Sequence, residues 1–290
     1  MDRREFLSAF VLMAAGCTSR RDAVTIGSKN FTEQLILGEM IAQMLERLGS
    51  SPVARRFYLA GSYICHQALL AGRIDMYVEY TGTALAAILK EQATGDARSV
   101  YQRVKNEYQR RFGLEVMPPL GFNNSFAIVM RGEDARQLGL KSLSGLAAVA
   151  PRLRMGVGYE FLERRDGYQG LAKTYGLRFA EAPRVMDLGL LYRAIETKQV
   201  DVVVGSNTDG VIAALDLVVL EDDRRYFPPY DAIPVVRRQS LERDPAVHVI
   251  FDRLANTLTA EQMRRLNYAV DGEKKDATQV VADYLAHRLP

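Results

Sequence analysis

Short apolar runs alternate with longer amphipathic stretches along the chain after Asp22. Short apolar runs bounded by polar turns are typical of buried strands, and longer stretches with apolar residues three or four apart are typical of helices that cover a sheet. The pattern therefore predicts an α/β fold with mostly parallel sheets. The predicted strands are residues 24–28, 53–58, 74–78, 153–157, 177–180, 200–204 and 217–220.

Two helix starts carry capping patterns. Residues 30–33, with the sequence NFTE, have capping-box form at the start of a helix that we expect to end near Leu48. Residues 259–262, with the sequence TAEQ, predict a second helix start with Thr259 as its cap. Residues 237–290 contain helical stretches with breaks at 244–245 and 271–272, and we expect these helices to pack onto the first part of the chain.

The two halves of the chain resemble each other. When the segment ALLAGRIDMYVEYTGTALAAIL is aligned with AIETKQVDVVVGSNTDGVIAAL, an aspartate falls on an aspartate and the turn at 80–83 falls on the turn at 206–209. A second match pairs residues 26–27 with 155–156. Two matches in the same order predict two similar lobes. Because ligands of α/β sheets bind at the carboxyl ends of the strands, these polar turns should line a cleft between the lobes.

Composition excludes several function classes. The chain has 290 residues, a formal net charge of +3 and three scattered histidines. This charge is too small to indicate nucleic-acid binding, and the histidines lack metal-ligand spacing, so we expect no nucleic-acid partner, no metal site and no cofactor. No apolar run reaches the ~20 residues that span a bilayer.

The chain also lacks the familiar catalytic motifs. There is no P-loop, G-x-S-x-G, H-E-x-x-H or C-x-x-C sequence, and the GVG sequence at 156–158 lacks the third glycine of a dinucleotide loop. We therefore expect a solute-binding protein rather than an enzyme. An enzyme on the same scaffold is the alternative from another class, and its candidate bases are Asp209, Glu79 and Asp187.

The amino terminus has the features of an export signal. Residues 1–16 contain a twin arginine, an apolar stretch and small residues before Cys17, although Leu is more usual at the place of Ala14. We expect export to the periplasm or cell envelope, lipid attachment at Cys17, and a short tether over 17–23. The alternative is a frayed, mildly hydrophobic helix. Cys65 would then have no disulfide partner, and we expect it to be a small buried hydrophobic residue.

Four strings carry a family resemblance: VTIGSKNFTEQLILGEMIAQMLE, AGSYICHQALLAGRIDMYVEYTGTAL, EFLERRDGYQGLAKTYGL and VDVVVGSNTDGVIAALDLVVLEDDRRYFPPYDAIPVVR. They resemble the substrate-binding proteins of osmoprotectant ABC transporters, the quaternary amine uptake family that delivers glycine betaine, carnitine or choline. The resemblance extends over nearly all of the chain after residue 23.

The resemblance implies a two-lobed type II periplasmic-binding-protein fold that closes on its ligand by a hinge. Lobe 1 is expected to comprise residues 24–123 plus 229–290, and lobe 2 residues 124–228. The implied partners are a small quaternary amine or zwitterion and the ABC permease subunits in the inner membrane. The protein itself would contact the membrane only through the lipid anchor.

Family members hold the ammonium group in a cage of tyrosines and a ligand carboxylate with basic and hydroxyl groups. A trimethylammonium group donates no hydrogen bond, so aromatic faces supply the specific attraction. By motif, the implied cage positions are Tyr80, Phe126, Ser206 and Tyr230. The implied carboxylate positions are Lys29, Thr83 and Arg164, with Arg165 as a competitor for the last. Asn124 stands where some members have a carboxylate facing the ammonium.

Two of the four cage positions depart from tyrosine. Phe126 keeps an aromatic face without the hydroxyl group, and Ser206 removes one wall of the cage. Loss of one ring costs on the order of 1 kcal/mol, or about fivefold in affinity, so we expect weak binding of glycine betaine. The opened cage also leaves a second hypothesis, in which the same fold binds an amino acid, a polyamine or a sulfonium compound.

Overall fold

The computed structural model describes residues 23–49, 51–91 and 96–288. The predicted export signal, Cys17 and all but the last residue of the tether lie outside the described residues. The described residues form ten strands: β1 Val24–Gly27, β2 Val53–Arg56, β3 Met76–Tyr80, β4 Leu114–Val116, β5 Phe126–Arg131, β6 Met155–Val157, β7 Arg184–Val185, β8 Val202–Ser206, β9 Leu217–Leu220 and β10 Ala232–Arg237.

The helices connect and cover these strands. They are α1 Thr32–Leu48, α2 Ser62–Leu70, α3 Thr81–Thr83, α4 Ala97–Phe112, α5 Gly132–Leu138, α6 Leu143–Val149, α7 Tyr159–Glu163, α8 Tyr168–Tyr175, α9 Leu191–Glu196, α10 Val211–Ala214, α11 Arg238–Arg243, α12 Ala246–Leu254, α13 Ala260–Asp271 and α14 Ala277–Arg288. A π-helical turn spans Ala84–Leu89, and 3₁₀ turns span Ala150–Arg152 and Leu188–Leu190.

The strands form two sheets of the same design, with the orders β2-β1-β3-β10-β4 and β7-β6-β8-β5-β9. In the first sheet β1 pairs in parallel with β2 and β3, whereas β10 runs antiparallel to both β3 and β4. In the second sheet β6 pairs in parallel with β7 and β8, whereas β5 runs antiparallel to β8 and β9. In each sheet only the strand in fourth place is therefore reversed, and the predicted mostly parallel α/β architecture is confirmed.

The two reversed strands are the ones that carry the chain between the sheets. The chain leaves the first sheet after β4 and enters the second at β5, and it returns from β9 to β10. The two crossings are joined by an antiparallel bridge between Asn123 and Asp231 and by a 3.0 Å hydrogen bond from the Asn124 amide to the Tyr230 carbonyl oxygen. This places Asn124 and Tyr230 side by side between the sheets.

Most of the predicted strands are present, but the one at 177–180 is wrong. Leu177 instead follows the end of α8, where its amide donates to the Ala172 carbonyl oxygen, and its side chain is buried in the core beside the second sheet. The apolar run there reflects the burial of a helix end. The edge strand that pairs with β6 is instead β7, which lies a few residues later in the chain. Strands β4, β5 and β10 are not among the predicted ones.

The two predicted helix caps have opposite outcomes. The capping box at Thr259 is confirmed, since its hydroxyl accepts from the Gln262 amide and the Gln262 side chain accepts from the Thr259 amide. The capping box at 30–33 is wrong. Phe31 occupies the N-cap of α1 without a side-chain cap, and the Glu33 carboxylate accepts a 2.6 Å hydrogen bond from the Tyr80 hydroxyl instead.

The C-terminal helices pack against α1 beside the first sheet. Side chains from α12 and α14, such as Phe251 and Leu285, share one hydrophobic core with Ile41 of α1. Cys65 is fully buried and free, as expected for a small hydrophobic residue, and burial raises the pKa of its thiol to about 12. The neighbouring His66 packs edge-on against Phe112 at a centroid distance of 4.6 Å.

Candidate functional site

A cleft of about 1300 Å³ lies between the two sheets and is lined by residues of both. All eight predicted site residues line it: Lys29, Tyr80, Thr83, Asn124, Phe126, Arg164, Ser206 and Tyr230. The fold thus brings together positions that are far apart in the sequence, because all but Arg164 lie at a strand end, in the turn that follows one, or at a crossing between the sheets, and Arg164 ends the short helix α7 that follows β6. Their contacts with a ligand remain a prediction.

Lys29 lies in the turn after β1 and is buried. Its Nζ atom is 2.6 Å from Glu79 Oε1 and donates to Ser62 Oγ at 3.3 Å. The same Nζ atom lies 4.4 Å from the centroid of the Tyr80 ring. The ammonium group therefore already has a carboxylate partner and already occupies one aromatic face.

Tyr80 ends β3 and is only 4% exposed. Its hydroxyl donates to Glu33 Oε1 at 2.6 Å and accepts from Gln34 Nε2 at 3.0 Å. Burial, followed by the nearby charge of Glu33, raises the pKa of Tyr80 well above its ordinary value. The Tyr80 side chain is therefore neutral, and the two hydrogen bonds of its hydroxyl group fix the position of its ring.

Arg164 projects from the end of α7 on the side of the second sheet. Its guanidinium makes two hydrogen bonds to Asp166, at 2.8 and 2.5 Å, and a third from Nη1 to Thr83 Oγ1 at 3.0 Å. The bond to Thr83 crosses the cleft and links the two sides. Arg165, the competitor for this position, is exposed and does not line the cleft.

The aromatic side chains of Phe126 and Tyr230 meet near Arg164. Their ring centroids are 5.6 Å apart with the planes at 78°, an edge-to-face arrangement. The Arg164 Cζ atom lies 4.8 Å from the Phe126 centroid and 5.8 Å from that of Tyr230. The Tyr230 hydroxyl donates to Asp166 Oδ2 at 2.6 Å, which fixes the ring against the arginine pair.

Ser206 ends β8 directly opposite Phe126 in the neighbouring strand. Its hydroxyl donates to the side-chain oxygen of Asn124, whose Nδ2 donates in turn to Glu33 Oε1 at 2.5 Å. Its amide donates to Asp209 Oδ2 at 2.8 Å. In place of a cage ring, the protein has a chain of polar groups at this wall.

Several carboxylates around the cleft are absent from the predicted site. Glu33 accepts from Tyr80, Asn124 and Asn267, and Asp166 pairs with Arg164. Glu160 reaches across the cleft to Gly61 at the start of α2. The sequence contained one signal for these carboxylates. Glu33 lies in the same family-like string as Lys29, and Asp166 lies in the same string as Arg164.

The three candidate bases of the enzyme alternative are all engaged in structural contacts. Glu79 is ion-paired with Lys29, and Asp187 accepts the Gly189 amide in a 3₁₀ turn. Asp209 accepts from the Tyr192 hydroxyl at 2.5 Å and from the Ser206 amide. Burial raises the pKa of Asp209 to about 7. Within the described residues, no group of three or more His, Cys, Asp or Glu side chains is placed to hold a metal ion.

Comparison with known proteins identifies the family of this chain. The family described as the substrate-binding domain of ABC-type glycine betaine transport systems matches residues 22–287. The chain belongs to this family. A glycine-betaine-binding protein of Pseudomonas aeruginosa is 35% identical to this binding protein over 94% of its chain and 90% of the relative. A carnitine transport binding protein of Listeria monocytogenes is 32% identical over 97% and 91% of the two chains.

A third relative is a longer protein. The ergothioneine transport permease/ergothioneine binding protein of Helicobacter pylori is 34% identical over 90% of this chain, which spans only 47% of that longer protein. Among solved structures, one described as a glycine betaine/carnitine/choline ABC transporter aligns with a TM-score of 0.74 and 32% identity, covering 91% of this chain and 98% of that one.

Family membership settles the class of function. This binding protein is the extracytoplasmic substrate-binding component of an ABC importer, and it is not an enzyme. Its partner is accordingly an ABC permease. Over the part of the chain that the structure describes, none of the helices combines the length and the apolar character needed to span a bilayer.

Proposed function

We propose that this binding protein captures a quaternary ammonium solute in the cleft and delivers it to its permease, and that it binds glycine betaine weakly. The observation that carries the proposal is the convergence of three aromatic rings on one cleft. Tyr80 belongs to the first sheet, Phe126 to the second, and Tyr230 to the crossing between them. A cation held by all three would join both sides of the cleft, so its binding favours closure.

The weak affinity for betaine follows from Ser206 and from the state of the two basic residues. Ser206 supplies no ring, and both Lys29 and Arg164 are already paired with carboxylates. An incoming ligand carboxylate would have to share these cations. The relatives named for glycine betaine and carnitine support the quaternary amine class, and the one named for ergothioneine supports a ligand range wider than those two.

Ser206→Tyr is expected to tighten the binding of quaternary amines by about fivefold, because it adds a ring to the open wall beside Phe126. Isothermal titration calorimetry with glycine betaine, carnitine and choline measures the change. Solution scattering should show a smaller radius of gyration with a bound amine than without one.

Ser206→Ala is the matched control, since it removes the hydroxyl group without adding a ring, and it should not tighten binding. A sub-micromolar dissociation constant of the wild type for glycine betaine would contradict the weak binding. Failure of Ser206→Tyr to gain affinity for any of the three amines would argue against the cage. A thermal-shift screen with amino acids, polyamines and sulfonium compounds tests the alternative ligands in parallel.

We also propose that the exported protein is anchored by a lipid on Cys17. The small residues before Cys17 and the apolar stretch preceding them support this. Cys17→Ser is expected to move the protein from the membrane fraction to the soluble fraction, because the acylated thiol is lost. Ser19→Ala is the control, since it changes a nearby residue and keeps the thiol, and it should stay with the membranes. An unchanged membrane fraction for Cys17→Ser would refute the anchor.

A further inference from the structure

Carboxylate groups outnumber cationic groups around the cleft. The two buried cations, Lys29 and Arg164, are each matched by one carboxylate, Glu79 at 2.6 Å and Asp166 at 2.5 Å. The side chains of both pairs are at most 10% exposed. Each pair is therefore close to neutral as a unit, and neither leaves a cation free for a ligand carboxylate.

Three further carboxylates lack a cationic partner. Glu33 accepts from the Tyr80 hydroxyl and from two asparagine side chains, and Asp209 accepts from the Tyr192 hydroxyl and the Ser206 amide. Glu160 lies against Gly61. Over residues 23–49, 51–91 and 96–288, none of these three carboxylates lies within 4.0 Å of a Lys, Arg or His nitrogen.

The rim of the cleft does not offset this excess. The charged rim residues are Arg193 and Lys274 on the positive side, and Asp187, Glu196 and Asp271 on the negative side. The cleft as a whole is thus more negative than positive. A cleft with one sign of excess charge attracts ligands of the opposite sign and repels those of the same sign.

Glu160 is the unpaired carboxylate on the same helix turn as one predicted carboxylate position, since the Arg164 amide donates to the Glu160 carbonyl oxygen at 3.0 Å. Burial raises the pKa of its carboxyl group, and the charges of Lys29 and Arg164 act in the opposite direction. Glu160 also presses against Gly61 across the cleft, since a Cβ atom on Gly61 would lie 1.8 Å from Glu160 Oε1. Gly61 precedes Ser62, to which Lys29 Nζ donates, so the Glu160 carboxylate lies near both basic residues that the resemblance assigns to a ligand carboxylate.

From this arrangement we infer that the site selects quaternary amines of net positive charge over zwitterions, and that Glu160 is the residue that sets this charge preference. The inference rests on the proposed function. A ligand such as choline adds one positive charge to the carboxylate excess. A betaine adds a carboxylate beside Glu160 and gains no unpaired cation in return.

Choline and glycine betaine are the appropriate probes, because they share the trimethylammonium group and differ at the other end, a neutral hydroxymethyl group against a carboxylate. Titration calorimetry at pH 8 keeps Asp209 ionised, since its pKa is about 7. We expect the wild type to bind choline at least tenfold more tightly than glycine betaine. Glu160→Gln is expected to reduce this ratio by about tenfold, mainly by improving betaine affinity.

Glu160→Gln keeps the shape of the side chain, so we expect the fold to persist, as thermal unfolding of the variant checks. Glu163→Gln is the matched control, because Glu163 lies in the same helix, is exposed and does not line the cleft. It should leave the ratio unchanged.

The outcomes separate this inference from the proposed function. Betaine binding as tight as choline binding in the wild type, or a ratio that Glu160→Gln does not change, overturns the inference while the quaternary amine function stands. Absence of binding by both amines and by carnitine overturns the proposed function, and the inference with it.

Discussion

Lys29→Met is expected to destabilise the protein by about 3–5 kcal/mol, because it removes one partner of a buried ion pair and leaves the other uncompensated. Lys29 and Glu79 are 2.6 Å apart, and their side chains are 4% and 0% exposed. Glu79 keeps hydrogen bonds from the Tyr80 amide at 2.8 Å and the Tyr77 hydroxyl at 3.2 Å, but these neutral donors do not replace a cation. Urea unfolding followed by circular dichroism measures the loss.

The double variant Lys29→Met/Glu79→Gln identifies the cause. The second substitution removes the stranded charge, and the new amide oxygen can still accept from the Tyr80 amide, so we expect the double variant to regain most of the lost stability. Lys198→Met is the matched control at an exposed ion pair with Glu133, where little change is expected. A Lys29→Met variant as stable as the wild type, or a double variant no more stable than the single one, contradicts this account.

The positions of the site were predictable because short strings of sequence determine them. A strand followed by a polar turn places its last residues at the carboxyl edge of a parallel sheet, and this holds for Lys29 after β1, Tyr80 at the end of β3 and Ser206 at the end of β8. The repeat then brings the edges of two similar sheets toward one cleft. Local pattern and duplication thus predicted the turns that line the cleft, whereas the roles of Asn124, Phe126, Arg164 and Tyr230 came from the family resemblance.

The partners of those residues were not predictable in the same way. The Lys29–Glu79 pair joins residues fifty positions apart, one in the turn after β1 and one on the neighbouring strand β3, and Glu33 reaches Asn267 across 234 positions. Such contacts depend on side-chain direction after folding. The sequence pattern at Glu33 predicted a helix cap, and only the tertiary structure shows that its carboxylate accepts from Tyr80 instead.

The missed strands have a related explanation. Strand β5 begins just after the predicted boundary between the lobes at 123–124, and β10 begins just after the predicted return to lobe 1 at 228–229. Both are crossings, but each also pairs antiparallel with two neighbouring strands inside a sheet. A search for repeated helix–strand units finds the parallel strands and passes over the reversed one, since that strand has no crossover helix of its own.

Asp209→Asn is expected to make the protein progressively more stable than the wild type as the pH rises from 4 to 8. Burial raises the pKa of Asp209 from 3.8 to about 7 in the folded protein. The folded state therefore holds the proton more tightly than the unfolded state. The stability that this proton contributes is fully present below about pH 4 and is lost as the pH rises through 7.

The size of the effect follows from the two pKa values. The pKa values of the unfolded and folded states differ by about three. This corresponds to a change in the free energy of unfolding on the order of 4 kcal/mol between the acidic and alkaline limits. Asparagine carries no charge at any of these pH values, and its single side-chain oxygen can accept both hydrogen bonds that Asp209 Oδ2 accepts from Tyr192 and Ser206. The variant therefore keeps the local contacts and removes only the titration.

Urea unfolding of both proteins at pH 5, 6, 7 and 8 measures the difference in the free energy of unfolding. We expect Asp209→Asn to gain on the wild type at each step up to about pH 7 and then to level off. Asp216→Asn is the control, because Asp216 is exposed and pairing with Arg136 lowers its pKa, so its titration falls below this range and its difference should stay constant. A constant difference for Asp209→Asn, or one that shrinks as the pH rises, would show that folding does not raise the pKa of this carboxyl group.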